Sequence, residues 1–451
     1  MDQNYEVIVI GAGPGGEVCA AQLGKAGKRV AIIERERVGG ECAFWACVPS
    51  KVLLRSQQPS FESRQVPGSK AALGGEASFA EAAAWRTETV GNYDDSGQVP
   101  FLRDSNVTLI RGQAQIEEPG VVRVGEQVLK TEATVIATGS QPAIPPIDGL
   151  QGDRYWTSRE ATAAGQAPKR LLILGGGAVG VELAQVFARY GTKVTVIEPA
   201  PQLLAKEEPG VAKLLAAALE KDGVSLKLAK SVQKIEWGNT CVMATLGGGE
   251  QIETDEMLVA TGRSPRTAGL NAQALGLKLN KNAIAVDKQC RAGDRVYAIG
   301  DVTGVAMFTH VAKYQGRIAA DSILGKAAEA QYEAVPRCIF TDPEVGAVGK
   351  TQAELREANV DYALAEVELT SAARGSLYYD NPVSGSVGLI ADKTQRTLLG
   401  AYIVGPMASE MIGAASVAIR NKIPVPALLD VMQPFPTFSE AFFNALQALK
   451  L

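Results

Sequence analysis

The stretch YEVIVIGAGPGGEVCAAQLGKAGKRVAIIER, residues 5–35, contains an apolar run, a glycine-rich turn, a helical segment and a second apolar run. The turn has the spacing G-x-G-x-x-G, made by Gly11, Gly13 and Gly16, and the second run ends at Glu34. In this pattern the first glycine makes a tight turn, the second lets the backbone approach a pyrophosphate, and the third allows close helix–strand packing. An acid about 20 residues later suits a ribose hydroxyl. The stretch therefore predicts a βαβ unit that binds a dinucleotide.

A second stretch, KRLLILGGGAVGVELAQVFARYGTKVTVIEP at residues 169–199, repeats this plan. It places Gly175, Gly177 and Gly180 after an apolar run, and its second run ends at Glu198. Each residue lies 164 positions after its counterpart, as the steps from 16 to 180 and from 34 to 198 show. One such motif is often only a tight turn, but two copies with the same glycine-to-acid distance favour two dinucleotide sites.

The composition limits the size class, the partners and the location of the protein. A chain of 451 residues exceeds one ordinary core, which predicts two or three domains. With 21% charged residues and a formal net charge of -4, the chain has no excess of positive charge that would attract a polyanion. We therefore expect no nucleic-acid partner. Neither a secretory signal nor a run of about 18 apolar residues is visible, so we expect a cytoplasmic protein without a membrane span.

Three further apolar runs each end in a glycine turn. Residues 131–142 (TEATVIATGSQP) and 254–265 (TDEMLVATGRSP) both contain Ala-Thr-Gly, which indicates that each dinucleotide unit returns its last strand toward the cofactor. Residues 297–301 (YAIGD) end in Asp301, and doubly wound sheets bind ligands at the carboxyl ends of strands. A helix cap is the alternative for this acid. From about residue 332 strands, a hairpin and an amphipathic helix follow, which predicts a third, α+β domain.

The segment GGECAFWACVPSK, residues 39–51, holds Cys42 and Cys47. In a regular helix their Cα atoms would lie at least about 7.5 Å apart, beyond disulfide reach, so a disulfide requires a departure from regular helix. A helix that begins near Pro49 would place Cys47 at its N-terminus, where the helix dipole lowers a thiol pKa. Two buried thiols without a redox role are the alternative. We expect unlinked thiols at the other four cysteines, Cys19, Cys241, Cys290 and Cys338.

Together these motifs resemble the flavoprotein disulfide reductases, the family of dihydrolipoamide dehydrogenase, glutathione reductase and mercuric reductase. The resemblance covers nearly the whole chain and includes IFTDPEVGAVG and GAYIVGPMASEMI near its carboxyl end. It implies an α/β fold with two Rossmann-like domains, one for FAD and one for NAD, and a carboxy-terminal α+β domain that forms a homodimer. The implied domains are 1–150 and 268–330 for FAD, 151–267 for NAD, and 331–451 for dimerisation.

The resemblance also implies cofactor contacts. Asp301 would contact the ribityl chain, and His310 falls where the family packs a helix start against the flavin. Lys51 and Glu182 would form an ion pair beside the flavin and the nicotinamide, although a solvated helix face is the alternative for Glu182. Glu198 accepts hydroxyl hydrogen bonds and repels a 2′-phosphate, which favours NAD over NADP. No metal is implied, and the implied cofactor-binding residues are Gly11, Gly13, Gly16, Glu34, Arg35, Gly40, Lys51, Thr138, Gly139, Gly175, Gly177, Gly180, Glu198, Gly262, Arg263, Gly300, Asp301 and His310.

The same resemblance implies a role for each of the two cysteines, and it shows that this chain lacks a histidine that the family uses. Cys47 would be the thiol that faces the flavin, and Cys42 the outer thiol that exchanges with substrate. The family's carboxy-terminal stretch typically reads His-x-His-Pro-Thr-x-Ser-Glu, and its second histidine is the acid and base of the exchange. Here residues 433–440 read QPFPTFSE, so Phe435 takes the histidine position, and His310 is the only histidine. Losing acid–base help costs about 10²- to 10⁴-fold on such steps.

Other residues near these motifs also differ from the family. Glu41 stands where the family has Thr, and its carboxylate is expected to raise the pKa of the neighbouring thiol. Phe44 and Trp45 predict an apolar, aromatic substrate face, unless they only pack. Glu440 would serve as the base if burial raised its pKa, with an ion pair or a solvated carboxylate as alternatives. The predicted catalytic set is Cys42, Cys47, Lys51, Glu182, Phe435 and Glu440.

We therefore predict an NAD-linked, FAD-dependent enzyme that exchanges electrons with a small dithiol or disulfide through Cys42 and Cys47. The retained cysteine pair carries this prediction. One alternative is electron transfer from NADH to a quinone, a dye-like acceptor or another pyridine nucleotide, which needs no imidazole base. Another is a flavin-bound redox sensor or complex subunit, which would bind FAD with negligible turnover.

Overall fold

A computed structural model describes residues 3–70, 74, 77–150 and 152–451 of the chain. The first unit of the fold comprises Met1–Pro49, Trp85–Ala143 and Gly262–Gln331. The second unit comprises Ser50–Ala84, Ile144–Thr261 and Tyr332–Leu451. Residue 151, the predicted first residue of the NAD-binding domain, lies outside the described residues.

Alternating strands and helices run through most of the chain. The strands are β1 (Gln3–Ile10), β2 (Val30–Glu34), β3 (Val107–Arg111), β4 (Ala114–Glu118), β5 (Val121–Val124), β6 (Gln127–Ile136), β7 (Ser140–Pro142), β8 (Arg170–Leu174), β9 (Lys193–Glu198), β10 (Ser225–Leu228), β11 (Val232–Trp237), β12 (Val242–Leu246), β13 (Gln251–Thr254), β14 (Glu256–Val259), β15 (Arg263–Pro265), β16 (Leu279–Asn280), β17 (Ala283–Ile284), β18 (Arg291–Gly293), β19 (Val296–Ala298), β20 (Pro336–Ile339), β21 (Glu344–Gly349), β22 (Tyr362–Glu368), β23 (Ser386–Asp392) and β24 (Leu398–Gly405). The helices are α1 (Pro14–Lys25), α2 (Gly40–Phe44), α3 (Cys47–Ser63), α4 (Phe79–Thr89), α5 (Val99–Asp104), α6 (Ser158–Ala163), α7 (Ala178–Arg189), α8 (Pro209–Lys221), α9 (Thr309–Ile323), α10 (Gln352–Glu357), α11 (Ala373–Leu377), α12 (Ala408–Arg420), α13 (Val425–Leu429) and α14 (Ser439–Ala448).

The first glycine stretch forms the centre of the sheet in the first unit. Strand β1 pairs in parallel with β2 and β6, and the path through the sheet is β18-β19-β6-β1-β2-β3. All five residues of β2 are buried, as expected for a parallel strand covered on both faces. The strand before the first Ala-Thr-Gly, β6, lies beside β1, and the strand of YAIGD, β19, pairs with β6.

The second glycine stretch builds the same arrangement in the second unit. Strand β8 pairs in parallel with β9 and β14, in the order β10-β9-β8-β14, and α7 follows β8 directly. The strand before the second Ala-Thr-Gly is β14, so its place beside β8 matches the place of β6 beside β1. The two sheets therefore repeat one βαβ plan, as the spacing of the glycines predicted.

The carboxy-terminal part of the second unit is an antiparallel sheet with helices. Its strand order is β20-β21-β24-β23-β22, with β23 and β24 forming the predicted hairpin. Helix α12 packs closely on this sheet, because a Cβ on Gly346 would lie 2.6 Å from the carbonyl oxygen of Ala408. Phe187 of α7 and Val404 of β24 belong to one fully buried cluster, so helix α7 and the antiparallel sheet share a core.

No helix in the described part of the chain is long and apolar enough to cross a membrane. Among the same residues, no group of three or more His, Cys, Asp or Glu side chains is placed to hold a metal ion.

Candidate active site

The first glycine turn leaves open space beside Gly13 at the start of α1, and we call this space a cradle. Gly11 has φ +105°, and a Cβ there would collide with the carbonyl oxygen of Ala137. A Cβ on Gly16 would collide with the carbonyl oxygen of Gly11, so α1 cannot approach the strand with any larger residue there. A Cβ on Gly13 would instead meet nothing within 4 Å, and α1 begins there without a side-chain cap. The backbone N–H groups at this helix start are therefore available to a phosphate.

The second glycine turn has the same geometry. Gly175 has φ +109°, and a Cβ there would lie 2.5 Å from the carbonyl oxygen of Ala260. A Cβ on Gly180 would collide with the carbonyl oxygen of Gly175, whereas one on Gly177 would meet nothing within 4 Å. Helix α7 begins after Gly177 without a side-chain cap. The chain thus contains two cradles of one design.

The acid of each copy binds its own glycine turn, which the sequence did not reveal. One carboxylate oxygen of Glu34 accepts a hydrogen bond from the Ala12 N–H at 2.8 Å, and one of Glu198 accepts from the Gly176 N–H at 2.7 Å. The second oxygen accepts from the N–H two residues after the acid, at 2.7 and 2.8 Å respectively. A carboxylate can accept about four hydrogen bonds. Each acid therefore binds the backbone of its glycine turn and can still accept a hydrogen bond from a ribose hydroxyl.

The two cysteines meet at a break between two helices. Cys42 lies in α2, the backbone turns at Trp45 with φ −136°, and α3 begins at Cys47. The segment therefore departs from regular helix, as a disulfide between these residues would require, and the Cys42 thiol interacts with Cys47. Cys47 Sγ also lies 3.4 Å from the Thr309 Oγ1 atom at the first residue of α9. The starts of helices α3 and α9 thus meet at Cys47.

The pKa of the Cys42 thiol is raised, as predicted, but for a different reason. The largest cause is the hydrogen bond with Cys47, followed by burial, and the interactions with Thr309 and Lys313 oppose the rise. The expected cause, the Glu41 carboxylate, is directed elsewhere. The physical reason is that adjacent side chains on a short helix point in different directions.

A polar network in the first unit surrounds Glu41 and Asp301. Arg263 lies 3.6 Å from the Glu41 carboxylate, and Arg266 lies 3.9 Å from it. The Nε of Arg263 donates to Ser140 Oγ at 2.6 Å, and Ser140 donates to the Asp301 carboxylate at 2.5 Å. Burial raises the pKa of Asp301, while Ser140 and Arg263 oppose the rise. Sequence analysis predicted Arg263 and Asp301 as cofactor-binding residues. It discussed Glu41 only as a carboxylate that would raise the pKa of the neighbouring thiol, and it did not predict Ser140 or Arg266.

Glycines hold the sharp turns beside this network. Positive φ angles occur at the predicted cofactor-binding glycines Gly40 (+61°), Gly139 (+71°), Gly262 (+128°) and Gly300 (+76°). Residues with a side chain rarely adopt such angles, which explains why glycine occupies these turns.

The first Ala-Thr-Gly turn also contributes a hydroxyl group. Thr138 Oγ1 donates to the backbone carbonyl of Arg266 at 2.6 Å, and Arg266 directly follows β15. Strands β7 and β15, which follow the two Ala-Thr-Gly turns, pair with each other in an antiparallel manner. Thr138 therefore holds the backbone of one of the two arginines that lie near Glu41.

The predicted ion pair of Lys51 and Glu182 is present in the second unit. Lys51 Nζ lies 2.7 Å from a carboxylate oxygen of Glu182, whose side chain is only 6% exposed. The other oxygen accepts a hydrogen bond from the backbone N–H of Phe340 at 2.9 Å. The Phe340 ring also lies 4.8 Å from Lys51 Nζ, a cation–π distance. A solvated helix face is therefore wrong for Glu182, and Phe340 is a member of this cluster that the sequence did not identify.

Phe435, Glu440 and His310 are three further residues of the predicted sites. Phe435 is 76% exposed in the second unit, and Glu440 accepts a hydrogen bond from the Thr437 N–H at 3.1 Å. In the first unit, exposed His310 stacks on Phe308 with ring centres 5.1 Å apart.

The two aromatic residues between the cysteines in the chain have structural contacts, and so does Arg35, a predicted cofactor-binding residue. Phe44 is buried, and the Arg37 guanidinium lies over both Phe44 and Trp45, at 5.7 and 5.9 Å from the ring centres. Phe44 therefore packs rather than forming a substrate face. Arg35 donates a hydrogen bond to Gln113 at 3.2 Å.

Comparisons with known proteins agree with this geometry. The family described as "Pyridine nucleotide-disulphide oxidoreductase" matches residues 5–316, and its dimerisation domain matches residues 335–446. Dihydrolipoyl dehydrogenase of Thermus scotoductus is 33% identical, with 99% of this chain and 98% of that protein covered. Mercuric reductase of Acidithiobacillus ferrooxidans is 32% identical, with 99% and 82% covered. The solved structure of the HOCl-induced flavoprotein disulfide reductase RclA from Escherichia coli is 29% identical with a TM-score of 0.88, covering 99% of this chain and 100% of that one.

The cradles at Gly13 and Gly177 fit the cofactors of this family, because each offers open space and an uncapped helix start to a pyrophosphate. The predicted α/β fold, with dinucleotide-binding domains and a carboxy-terminal dimerisation domain, is confirmed by the two family matches and the structural likeness. The chain belongs to the pyridine nucleotide-disulphide oxidoreductase family and is an FAD-dependent flavoprotein disulfide reductase.

Proposed function

We propose that the protein passes two electrons between NAD(H) and a small disulfide or dithiol through Cys42 and Cys47. The observation that carries this proposal is the meeting of the two thiols at the break between α2 and α3. NAD is proposed rather than NADP because the Glu198 carboxylate, at the end of β9, would repel a 2′-phosphate. When bound, FAD accepts a hydride from the nicotinamide and passes two electrons to the disulfide.

The chain's own residues would hold the cofactors and the charges. Gly13 and Gly177 would leave room for the two pyrophosphates, and Asp301 and Arg263, which both hydrogen-bond to Ser140, would present a carboxylate and a guanidinium to FAD. Lys51 supplies a positive charge whose position is fixed by its buried carboxylate partner. These roles follow the family resemblance and the contacts of each side chain.

The two thiols would divide the exchange between them. Cys42 would attack the substrate disulfide, and Cys47 would then displace the substrate from Cys42 and close the internal disulfide. Thr309 supports Cys47 with its hydroxyl at 3.4 Å. With Phe435 at the position of the family's histidine, this chemistry has to proceed without an imidazole.

An anaerobic titration of the FAD-loaded protein with NADH tests the proposal. We expect two equivalents of NADH per FAD to be needed for full reduction, since a disulfide and a flavin each take two electrons. A long-wavelength absorbance band is expected after the first equivalent and is expected to be absent in Cys47→Ser. Cys241→Ser, which removes a thiol from the second unit, is the matched control and should behave as the wild type.

The opposite result would contradict the role of the cysteines. If one equivalent bleaches the flavin, no such band forms, and Cys42→Ser and Cys47→Ser titrate like the wild type, the cysteine pair carries no electrons. Reduction of a quinone or a dye-like acceptor would then describe the protein better, and negligible turnover with every acceptor would favour a redox sensor.

We also propose that the protein is a homodimer, as its match to a dimerisation domain suggests. The segment before α14 exposes large apolar side chains, with Val431 54%, Met432 94% and Phe435 76% exposed. Such a group is costly to leave in water and is typical of an interface. Light scattering of the FAD-loaded protein is expected to give twice the chain mass, and a monomer mass at all concentrations would contradict the proposal.

A further inference from the structure

Three side chains on one face of helix α7 hold the turn between β20 and β21. Glu182 accepts a hydrogen bond from the Phe340 N–H at 2.9 Å. Gln185 accepts one from the Asp342 N–H at 2.7 Å and donates one to the Asp342 carbonyl at 2.8 Å. Arg189 lies 3.0 Å from the Asp342 carboxylate. Because residues three and four apart share a helix face, these contacts hold the backbone of the turn against one side of α7.

The Phe340 ring faces an ammonium group that is held by the same acid. Its centre lies 4.8 Å from Lys51 Nζ, and this Nζ lies 2.7 Å from the Glu182 oxygen that does not bind the Phe340 N–H. Lys51 Nζ also donates to Ser50 Oγ at 3.3 Å. Phe340 is 36% exposed, so its ring is not part of a closed core. Glu182 thus binds both the ammonium group and the backbone of the residue whose ring faces it.

Helix α3, which carries Lys51, is attached to α7 by other residues. Gln57 donates to a backbone carbonyl of α7 at 3.1 Å, and the Phe61 ring centre lies 3.9 Å from the guanidinium carbon of Arg189. The backbones that carry the ion pair and the ring are therefore held by contacts in which the Phe340 ring takes no part. Removing this ring changes the surroundings of the ammonium group and leaves the supporting contacts in place.

This cluster lies close to the second cradle. Glu182 follows Gly177 by five residues, which corresponds to a rise of about 7.5 Å along α7. The start of α7 at Gly177 is the place proposed for the NAD(H) pyrophosphate. The Lys51 ammonium, bound to Glu182, therefore lies within about two helical turns of that place.

We propose that Phe340 is a positioning residue for hydride transfer, whose ring restricts the direction that the Lys51 ammonium takes about Glu182. The inference rests on the part of the proposed function in which NADH reduces FAD, and it does not involve the disulfide step.

A fixed ammonium group is useful to this step. The hydride acceptor gains negative charge, and a positive charge already in position stabilises it without reorganisation. The Lys51 ammonium keeps its proton, because the hydride passes from the dihydronicotinamide to FAD with both of its electrons. The carboxylate of Glu182 fixes the distance of the ammonium, and a ring on a second side restricts its direction as well. Loss of the ring should therefore lower the rate of transfer more than the affinity for NADH.

Anaerobic stopped-flow mixing of the FAD-loaded protein with NADH measures the limiting rate of flavin bleaching and the half-saturating NADH concentration. Phe340→Leu is expected to lower the limiting rate about tenfold and to change the half-saturating concentration by less than about twofold. Phe340→Met, a second aliphatic variant, should behave in the same way. Phe340→Tyr and Phe340→Trp keep an aromatic face and should retain the wild-type rate.

Two further measurements separate a role through Lys51 from other roles. In a Lys51→Met background the ammonium group is gone, so adding Phe340→Leu should cause no further loss of rate. Calorimetry of NAD⁺ binding to the oxidised, FAD-loaded protein requires no turnover and should give the same affinity for the wild type and Phe340→Leu. Phe442→Leu, which removes another partly buried ring from the second unit, is the matched control and should keep the wild-type rate and affinity.

A limiting rate in Phe340→Leu equal to that of the wild type overturns the inference, and so does an undiminished loss in the Lys51→Met background. Weaker NAD⁺ binding with an unchanged limiting rate would make Phe340 a binding residue instead. If NADH bleaches the wild-type flavin but the protein turns over no disulfide, the disulfide part of the proposed function fails while the role of Phe340 stands. A wild-type flavin that NADH does not bleach would contradict both.

Discussion

Gly13→Val is expected to weaken FAD binding strongly while the chain still folds, and Gly177→Val is expected to spare FAD and weaken NADH binding strongly. A Cβ at either position meets nothing within 4 Å, so the side chain would fill only the cradle. Both residues have extended backbone, with φ −76° and −79°, which valine readily adopts. Overpacking of such a site costs about 1–3 kcal/mol, and loss of the phosphate contacts adds to this, so affinity should fall by on the order of 10²-fold or more.

Flavin absorbance of the purified protein and NADH titration by fluorescence measure the two losses. Gly97→Val and Gly165→Val are matched controls in the first and second units, because a Cβ at either glycine also meets nothing within 4 Å. Normal FAD content in Gly13→Val, or normal NADH binding in Gly177→Val, would show that the pyrophosphates bind elsewhere.

Cys42→Ser is expected to lower disulfide turnover by at least about 10³-fold, because a serine hydroxyl cannot form the mixed disulfide. NADH-dependent reduction of a one-electron dye is expected to continue, since it needs no exchanging thiol. The ratio of the two steady-state rates is the measurement, with Cys338→Ser as a control for loss of a partly buried thiol. Full disulfide turnover in the double variant Cys42→Ser, Cys47→Ser would contradict the proposed role of the pair.

Much of the fold was predictable because its signals are local in the chain. The two G-x-G-x-x-G turns need glycine for steric reasons that act within one βαβ unit, and both cradles have the expected form. A break between Cys42 and Cys47 was expected on the condition that a disulfide joins them, because helix rise keeps the two positions beyond disulfide reach, and the structure contains such a break. The ion pair of Lys51 and Glu182 followed from the family resemblance rather than from spacing.

Other contacts depend on residues that are distant in the chain. Thr309 reaches Cys47 across 262 positions, and Phe340 donates to Glu182 across 158. The direction of a side chain on a short helix also escaped prediction, since Glu41 lies next to Cys42 in the chain but is directed to Arg263. Such contacts have no pattern in a single sequence.

The sequence by itself determined the two dinucleotide turns, the cysteine pair and the absence of a second histidine, because each depends on residue type and local spacing. The tertiary structure alone decided which groups surround the thiols and what raises the pKa of Cys42. The physical reason is that backbone turns are governed by local steric limits, whereas the electrostatic surroundings of a side chain depend on how separate helices pack against one another.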